Sequence, residues 1–294
     1  MIAVEHMTLT YKSGKGIFAV NFSVAEGSVT GCLGPNGAGK TTTIRCLMGF
    51  MKPDSGGCSI GGRDCFKDAA QIKRFLGYIP GEIAFPGGMS CRDYLQYQCA
   101  LRGIKDLSRM NALIERFALD TRGSIRHFSK GMKQKLGIVA AFMHDPRVLI
   151  LDEPTSGLDP LMQNEFIRLV LEEKQRGKTI LLSSHIFEEV ERTCDDVVII
   201  RDGRIAAQSS VQTLTSAQCK GYHIRTPDVK RLKAFGYRTE EETAESCVVY
   251  VSGEETPEFF RRLGTLTVRS LDVKAQTLED AFLHFYSAGG ERGE

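Results

Sequence analysis

Unbroken apolar runs at Val148-Leu149-Ile150-Leu151, Thr179-Ile180-Leu181-Leu182 and Val197-Val198-Ile199-Ile200 mark the middle of the chain. Strands of this kind are buried on both faces, as in a parallel sheet covered by helices. Between the first two runs, Asp159 is a good N-cap and Pro160 fits the first helical position. Met162, Phe166, Leu169 and Val170 then share one helical face before Gly177 ends the segment. The pattern predicts a strand-helix-strand unit. From residue 1 to about 214, β-rich runs alternate with helical stretches, which predicts an α/β domain on a largely parallel sheet. Residues 90–126 break the alternation. There Tyr94, Leu95, Tyr97, Leu101, Leu113, Ile114 and Phe117 sit among polar residues without a strand pattern, and predict a helical insert.

After about residue 215 the pattern restarts on a smaller scale. Short strands are expected near Tyr222-His223-Ile224, at 247–251 and at 266–273, separated by helical pieces, so 215–294 reads as a small α/β accessory domain. Thr277-Leu278-Glu279-Asp280 has the form of a capping box opening a last helix, with Leu278, Ala281, Phe282 and Phe285 on one face. Residues 287–294 read as a flexible tail.

A length of 294 residues suits one large domain with a smaller companion. Hydrophobic residues at 42% and charged residues at 25% exclude a disordered, collagen-like or coiled-coil chain. With 38 Lys plus Arg against 36 Asp plus Glu, the net charge of +2 advertises no nucleic-acid partner, and none is expected. No run approaches the roughly 18 apolar residues needed to cross a bilayer. The start Met1-Ile2-Ala3-Val4-Glu5-His6 lacks the marks of a signal peptide. Nine cysteines, an odd number without a C-x-x-C pair, read as reduced, cytosolic and metal-free.

Gly34-Pro35-Asn36-Gly37-Ala38-Gly39-Lys40-Thr41 matches G-x-x-x-x-G-K-[ST], after a β-prone Val29-Thr30-Gly31-Cys32-Leu33 and before the helical Thr43-Ile44-Arg45-Cys46-Leu47-Met48. The glycines let successive N–H groups curl around a triphosphate, and a helix N-terminus adds its positive end. Lys40 reaches the β and γ phosphates, and Thr41 offers a hydroxyl to Mg²⁺. The strand at 148–151 ends in Asp152-Glu153, which suits one carboxylate on hydrated Mg²⁺ and one that activates water. His185 ends the next strand, and parallel neighbours bring both ends to one sheet edge. Gly57-Cys58-Ser59-Ile60-Gly61 fits the nucleophile-elbow pattern, but no helix follows it.

These residues, with Phe128-Ser129-Lys130-Gly131-Met132 ahead of the carboxylates and Ser156-Gly157-Leu158-Asp159 after them, resemble the nucleotide-binding subunit of an ATP-binding cassette (ABC) transporter over residues 1 to about 214. The two runs resemble the family's LSGGQ signature and D-loop. The resemblance implies a P-loop NTPase fold of ABC type with a helical insert, plus the small C-terminal α/β domain. It implies ATP and Mg²⁺, with Gly34, Asn36, Gly37, Ala38, Gly39, Lys40, Thr41 and Thr42 on the nucleotide and Tyr11 stacked on adenine. Thr41 and Asp152 would hold the metal, and Glu153 and His185 would be catalytic. Ser129 and Gly131 would act in trans, in a dimer that sandwiches ATP. The implied partners are a second nucleotide-binding subunit and a multi-span permease. The permease would hold the chain on the inner face of the membrane and meet the 81–88 loop and the insert. The narrower likeness is to bacterial drug and antibiotic exporters.

Two motifs depart from the family, the Q-loop and the signature, where Phe128, Lys130 and Met132 replace Leu, Gly and Gln. Tyr78-Ile79-Pro80-Gly81-Glu82 carries Gly81 where the Q-loop has glutamine, leaving the usual coupling role without its side chain and Glu82 as a possible substitute. Lys130 stands for a signature glycine, either as a charge near phosphates or as a solvated lysine. The accessory domain either acts on the dimer or covers a sheet edge. The alternative function is a soluble ABC-type ATPase acting on nucleic acid or the ribosome.

Overall fold

Two compact units divide the chain, Met1–Ser209 and Ser210–Glu294. The computed structural model describes residues 1–216, 220–240 and 242–274. The capping box at 277–280, its apolar face and the tail therefore lie outside the described residues.

Up to the boundary of the first unit, which falls at the last residue of β10, the strands are β1 (Ile2–Thr10), β2 (Gly16–Val24), β3 (Val29–Leu33), β4 (Ser55–Ile60), β5 (Arg63–Asp64), β6 (Leu76–Ile79), β7 (Val148–Asp152), β8 (Thr179–Ser184), β9 (Asp196–Arg201) and β10 (Arg204–Ser210). They form two sheets, ordered β2-β1-β4-β5 and β10-β9-β3-β8-β7-β6. The second runs parallel from β9 through β3, β8 and β7 to β6. The three apolar runs of the sequence are its β7, β8 and β9. β10 joins the edge through Asp202 (φ 48°) and Gly203 (φ 74°), the two left-handed residues that a tight type I′ hairpin turn requires.

The expected largely parallel sheet is the six-stranded one; the first sheet is antiparallel and was not anticipated. Its alternation is hidden in the sequence because β1 carries register shifts near His6 (φ 46°), and β4 begins Ser-Gly-Gly. The Gly57–Gly61 elbow pattern falls on β4 and has no strand-turn-helix context.

The helices of this unit are α1 (Lys40–Leu47), α2 (Ala69–Ile72), α3 (Cys91–Arg102), α4 (Ser108–Arg116), α5 (Lys130–Phe142), α6 (Pro160–Gln175) and α7 (Phe187–Thr193). One core joins both sheets to α1, through Ile2, Val4 and Ile60 on one side, Val148, Ile150 and Leu181 on the other, and Ile44 and Leu47 between. The α1 helix, which begins at the phosphate loop, is thus wedged at the sheet-to-sheet contact. Across the parallel sheet α5 and α6 meet through the edge-on rings of Phe142 and Phe166, 6.4 Å apart. Asp159 caps α6 by accepting from Met162 N at 3.0 Å, with Pro160 in the first turn.

The 90–126 segment is helical, holding α3, α4 and a short 3₁₀ turn at Ile125–His127. It leaves and rejoins the core at one place, where Ser90 bridges Ser124. Arg109 of α4 pins it to α6 by donating to the buried Glu173 carboxylate at 2.8 Å.

The second unit holds α8 (Val211–Ser216), β11 (Lys220–Arg225), α9 (Val229–Lys233), β12 (Arg238–Glu240), β13 (Ser246–Val251), α10 (Thr256–Leu263) and β14 (Ser270–Lys274). Its antiparallel sheet is ordered β12-β13-β11-β14, and its own core contains Tyr222, Ile224, Leu232, Val249 and Phe259. Residues 266–269, expected at the start of the last strand, precede β14. The eight described cysteines are free thiols. Burial pushes those of Cys32 and Cys194 up to about 12, so they behave as small apolar groups.

Candidate functional site

Loop 34–39 leaves β3 and enters α1, and two glycines are dictated by close approach. A Cβ on Gly34 would stand 2.3 Å from the Ile200 carbonyl oxygen, and Gly39 (φ 112°) would press its own at 2.8 Å on Ile17. Buried Ala38 accepts from Gly203 N at 2.9 Å, tying the loop to the β9–β10 turn, while Asn36 and Gly37 form the exposed rim. No side chain caps α1 and no acid lies in its first turn, so its N–H groups and positive end are left for an anion. Lys40 is buried, its Nζ donating to the carbonyls of Gly34 at 2.6 Å and Pro35 at 3.2 Å. Thr41 is exposed beside it. Tyr11 lies just past the end of β1 rather than within it. Its hydroxyl stands 3.3 Å from Thr42 Oγ1 and donates to Met51 Sδ at 3.4 Å, which keeps the half-buried ring beside the first turn of α1.

The ends of β7 and β8 meet this loop. Asp152 is wholly buried; its Oδ1 accepts a short hydrogen bond from Ser183 Oγ, and its Oδ2 has no partner among the described residues. Glu153 turns the chain in the left-handed region, at φ 47°. Its N–H donates to Ser183 O and Ser183 Oγ, both at 3.1 Å, and these bonds stabilise a conformation that is costly for a residue with a side chain. The turn aims the carboxylate so that Oε1 lies 3.8 Å from Lys40 Nζ and 3.5 Å from His185 Nδ1. Three residues far apart in sequence thus converge.

Gly81 lies directly against this group: an added Cβ would stand 3.1 Å from Asp152 Oδ2. Glu82 is exposed and makes no ion pair or hydrogen bond with a described residue. The next residue, Ile83, fills the space over Gly137 of α5, where a Cβ would meet its Cδ1 at 2.6 Å.

The signature segment starts α5. Ser129 caps the helix by accepting from Met132 N at 3.2 Å, which leaves its hydroxyl hydrogen free to donate. Gly131 lies on the D-loop, where a Cβ would stand 2.7 Å from Gly157 O. Lys130 Nζ donates to Ser156 Oγ at 2.7 Å, so this exposed lysine ties the signature to the D-loop of its own chain.

Sequence reading missed Ser183, Gln134 and Glu189. Buried Gln134 donates to Pro154 O at 2.6 Å and holds the turn after Glu153. Its signal was a polar residue on the apolar face of α5; that of Ser183 was a hydroxyl closing an apolar strand.

The ABC transporter family model matches residues 17–156. The chain is 40% identical over 208 residues to the bacitracin transport ATP-binding protein BcrA of Bacillus licheniformis, covering 70% of this chain and 68% of BcrA. It is 33% identical over 283 residues to the uncharacterized ABC transporter ATP-binding protein YdbJ of Bacillus subtilis, covering 94% of this chain and 92% of that protein. A solved ATP-binding subunit of an ABC transporter superposes with a TM-score of 0.68 at 33% identity, over 73% of this chain and 91% of its own. The phosphate loop and the carboxylate-bearing strand end beside it, set in this fold and found in these relatives, place the chain among the ATP-binding subunits of ABC transporters, and it is an ATPase of that family.

Proposed function

We propose that the chain hydrolyses ATP as one half of a cassette dimer that drives a separate multi-span permease, in the direction of export. The observation that carries the reading is the Glu153 carboxylate held between Lys40 and His185. Lys40 and the α1 start bind the β and γ phosphates, with Asn36, Gly37 and Ala38 around the loop. Tyr11 stacks on adenine, and Thr42 lies beside the phosphates. Glu153 takes the proton of the attacking water, and His185 holds that water and the γ-phosphate in place.

The unpartnered, buried Asp152 Oδ2 and the exposed Thr41 hydroxyl are hard oxygen donors of the kind Mg²⁺ takes, and these two residues would hold it. Bound there, Mg²⁺ would neutralise charge on the phosphate oxygens. Ser129 and Gly131 reach the nucleotide of the second copy, with the free Ser129 hydroxyl donating. Among the described residues no helix is long and apolar enough to cross a membrane. A permease would therefore hold the chain at the inner membrane face, meeting the insert where Tyr97 and Leu101 of α3 are exposed. Export of an antibiotic-like cargo is supported by the likeness to a bacitracin transport protein.

Phosphate release by the wild type and by Glu153→Gln tests the reading. The variant is expected to lose about 100-fold or more in turnover while still binding ATP, and to accumulate as an ATP-dependent dimer in size exclusion. Turnover persisting in Glu153→Gln would show that this carboxylate is not the base. Recovery of a multi-span protein with the chain from detergent-solubilised membranes is the matching test of the permease.

A further inference from the structure

Behind the catalytic pair, α7 buries a carboxylic acid that the mechanism above leaves unused. Glu189 is 3% exposed. Its Oε2 accepts from Ser184 Oγ at 2.6 Å and from Thr155 Oγ1 at 3.4 Å, while Oε1 is buried without a partner among the described residues. Ser184 directly precedes His185, and Thr155 lies two residues after Glu153. One carboxyl group therefore ties together the two backbone segments whose side chains meet at 3.5 Å. Its own position is firm, because Val190 beside it is fully buried and Thr193 Oγ1 donates to Glu189 O at 2.7 Å.

No basic group pairs with Glu189 among the described residues. Burial, the largest influence, pushes its acid up to about 7; the bonds from Ser184 and Thr155 oppose the rise and the charge of Glu153 adds to it. The other charged or titratable groups around it are Glu188 and Arg192 on α7 and Cys194 after it. Glu188 and Arg192 line the same cavity of about 170 Å³ with Gln163 and Asn164 of α6. Arg192 is turned away, donating to Asn164 at 3.0 Å and Glu188 at 3.3 Å. An apolar side chain would fill this place at a smaller desolvation cost, so packing alone does not account for an acid here.

We propose that Glu189 is a positioning residue of the ATPase site. Its carboxyl fastens Ser184 to Thr155, so that His185 and the Glu153 carboxylate face each other. The inference rests on Glu153 being the general base.

The test is steady-state ATP hydrolysis and nucleotide binding by the full chain carrying Glu189→Leu, Glu189→Gln or Ser184→Ala, with Glu153→Gln alongside. Glu189→Leu is expected to lower kcat about tenfold or more, with KM for ATP and bound nucleotide per chain within about twofold of wild type. Glu189→Gln keeps an acceptor for Ser184 and should hold kcat within about threefold. Ser184→Ala should lose about as much as Glu189→Leu, and the two together no more than either alone. Equal kcat for the Leu and Gln variants overturns the proposal. So does a loss in Glu189→Leu that bound nucleotide matches. Should the Leu variant fail to fold, an unchanged kcat in Ser184→Ala overturns it instead. Failure of the underlying reading shows separately, as hydrolysis surviving Glu153→Gln, and would remove the proposal with it.

Discussion

At the scale of single residues, the site depends on groups whose environment opposes their ordinary behaviour. Glu153 holds a left-handed backbone through two bonds to Ser183, and Asp152 is buried with one oxygen unpartnered. Glu189 carries a measurable consequence in stability. Its acid ionises near 4.5 in the unfolded chain and about 7 in the folded one. Between those values the unfolded state loses its proton first, so this group's contribution to stability falls as pH rises and is flat above about 7. Glu189→Gln should therefore gain stability relative to wild type across that window, reaching about 3 kcal/mol above pH 7. Comparing urea midpoints of the pair at each pH cancels the opposed slope of His144, which burial lowers to about 4. A stability difference that stays constant with pH would show that Glu189 titrates normally. The phosphate loop, Asp152, Glu153 and His185 were legible beforehand because each closes a local pattern of strand, loop or helix. Ser183, Gln134 and Glu189 were not, because a hydroxyl, an amide or an acid acquires its role only from a partner 20 or 31 residues away or from burial.

Elements are joined here at points where one side chain, or the lack of one, governs the contact. Gly131 lets α5 lie on the D-loop, Gly137 admits Ile83 from the 81–88 loop, and Arg109 fastens the insert to α6. The last link has a cost that can be measured. Glu173 is 2% exposed and shares its Oε1 between Arg109 and Arg176, while Oε2 has no partner among the described residues. Arg109→Ala would leave a buried carboxylate with one cation, and should destabilise the first unit by about 2 kcal/mol. Chemical denaturation would measure it, and adding Glu173→Gln should recover part of the loss. Recovery of none would mean that Arg109 acts through its aliphatic stem rather than its charge. Helices and parallel strands of this unit were readable because their hydrophobic periods are uninterrupted and their caps are in place. The antiparallel strands were less so, because the His6 irregularity and the glycines of β4 break the alternation that marks a strand.

At the scale of the whole molecule, the core that joins both sheets to α1 in the first unit and the core around Phe259 in the second share no residue among those described. Phe259 is fully buried in the second, with the rings of Tyr222 and Tyr237 at 5.1 and 5.3 Å. Phe259→Ala should destabilise the second unit by about 3 to 5 kcal/mol and leave ATP affinity within about twofold. Amide exchange with and without ATP would check both, and a parallel loss of protection in the phosphate loop would show that the units unfold as one. By itself the sequence determined the nucleotide chemistry and the α/β class. A phosphate loop needs glycines, lysine and threonine in fixed order, and a doubly covered strand needs an unbroken apolar run. Only the tertiary structure decided that Gly81 lies against Asp152, that Lys130 binds the D-loop serine, and that one buried acid links the segments bearing Glu153 and His185. Those relations join residues that the chain separates, and they exist only once sheet register and helix packing have set the distances between them.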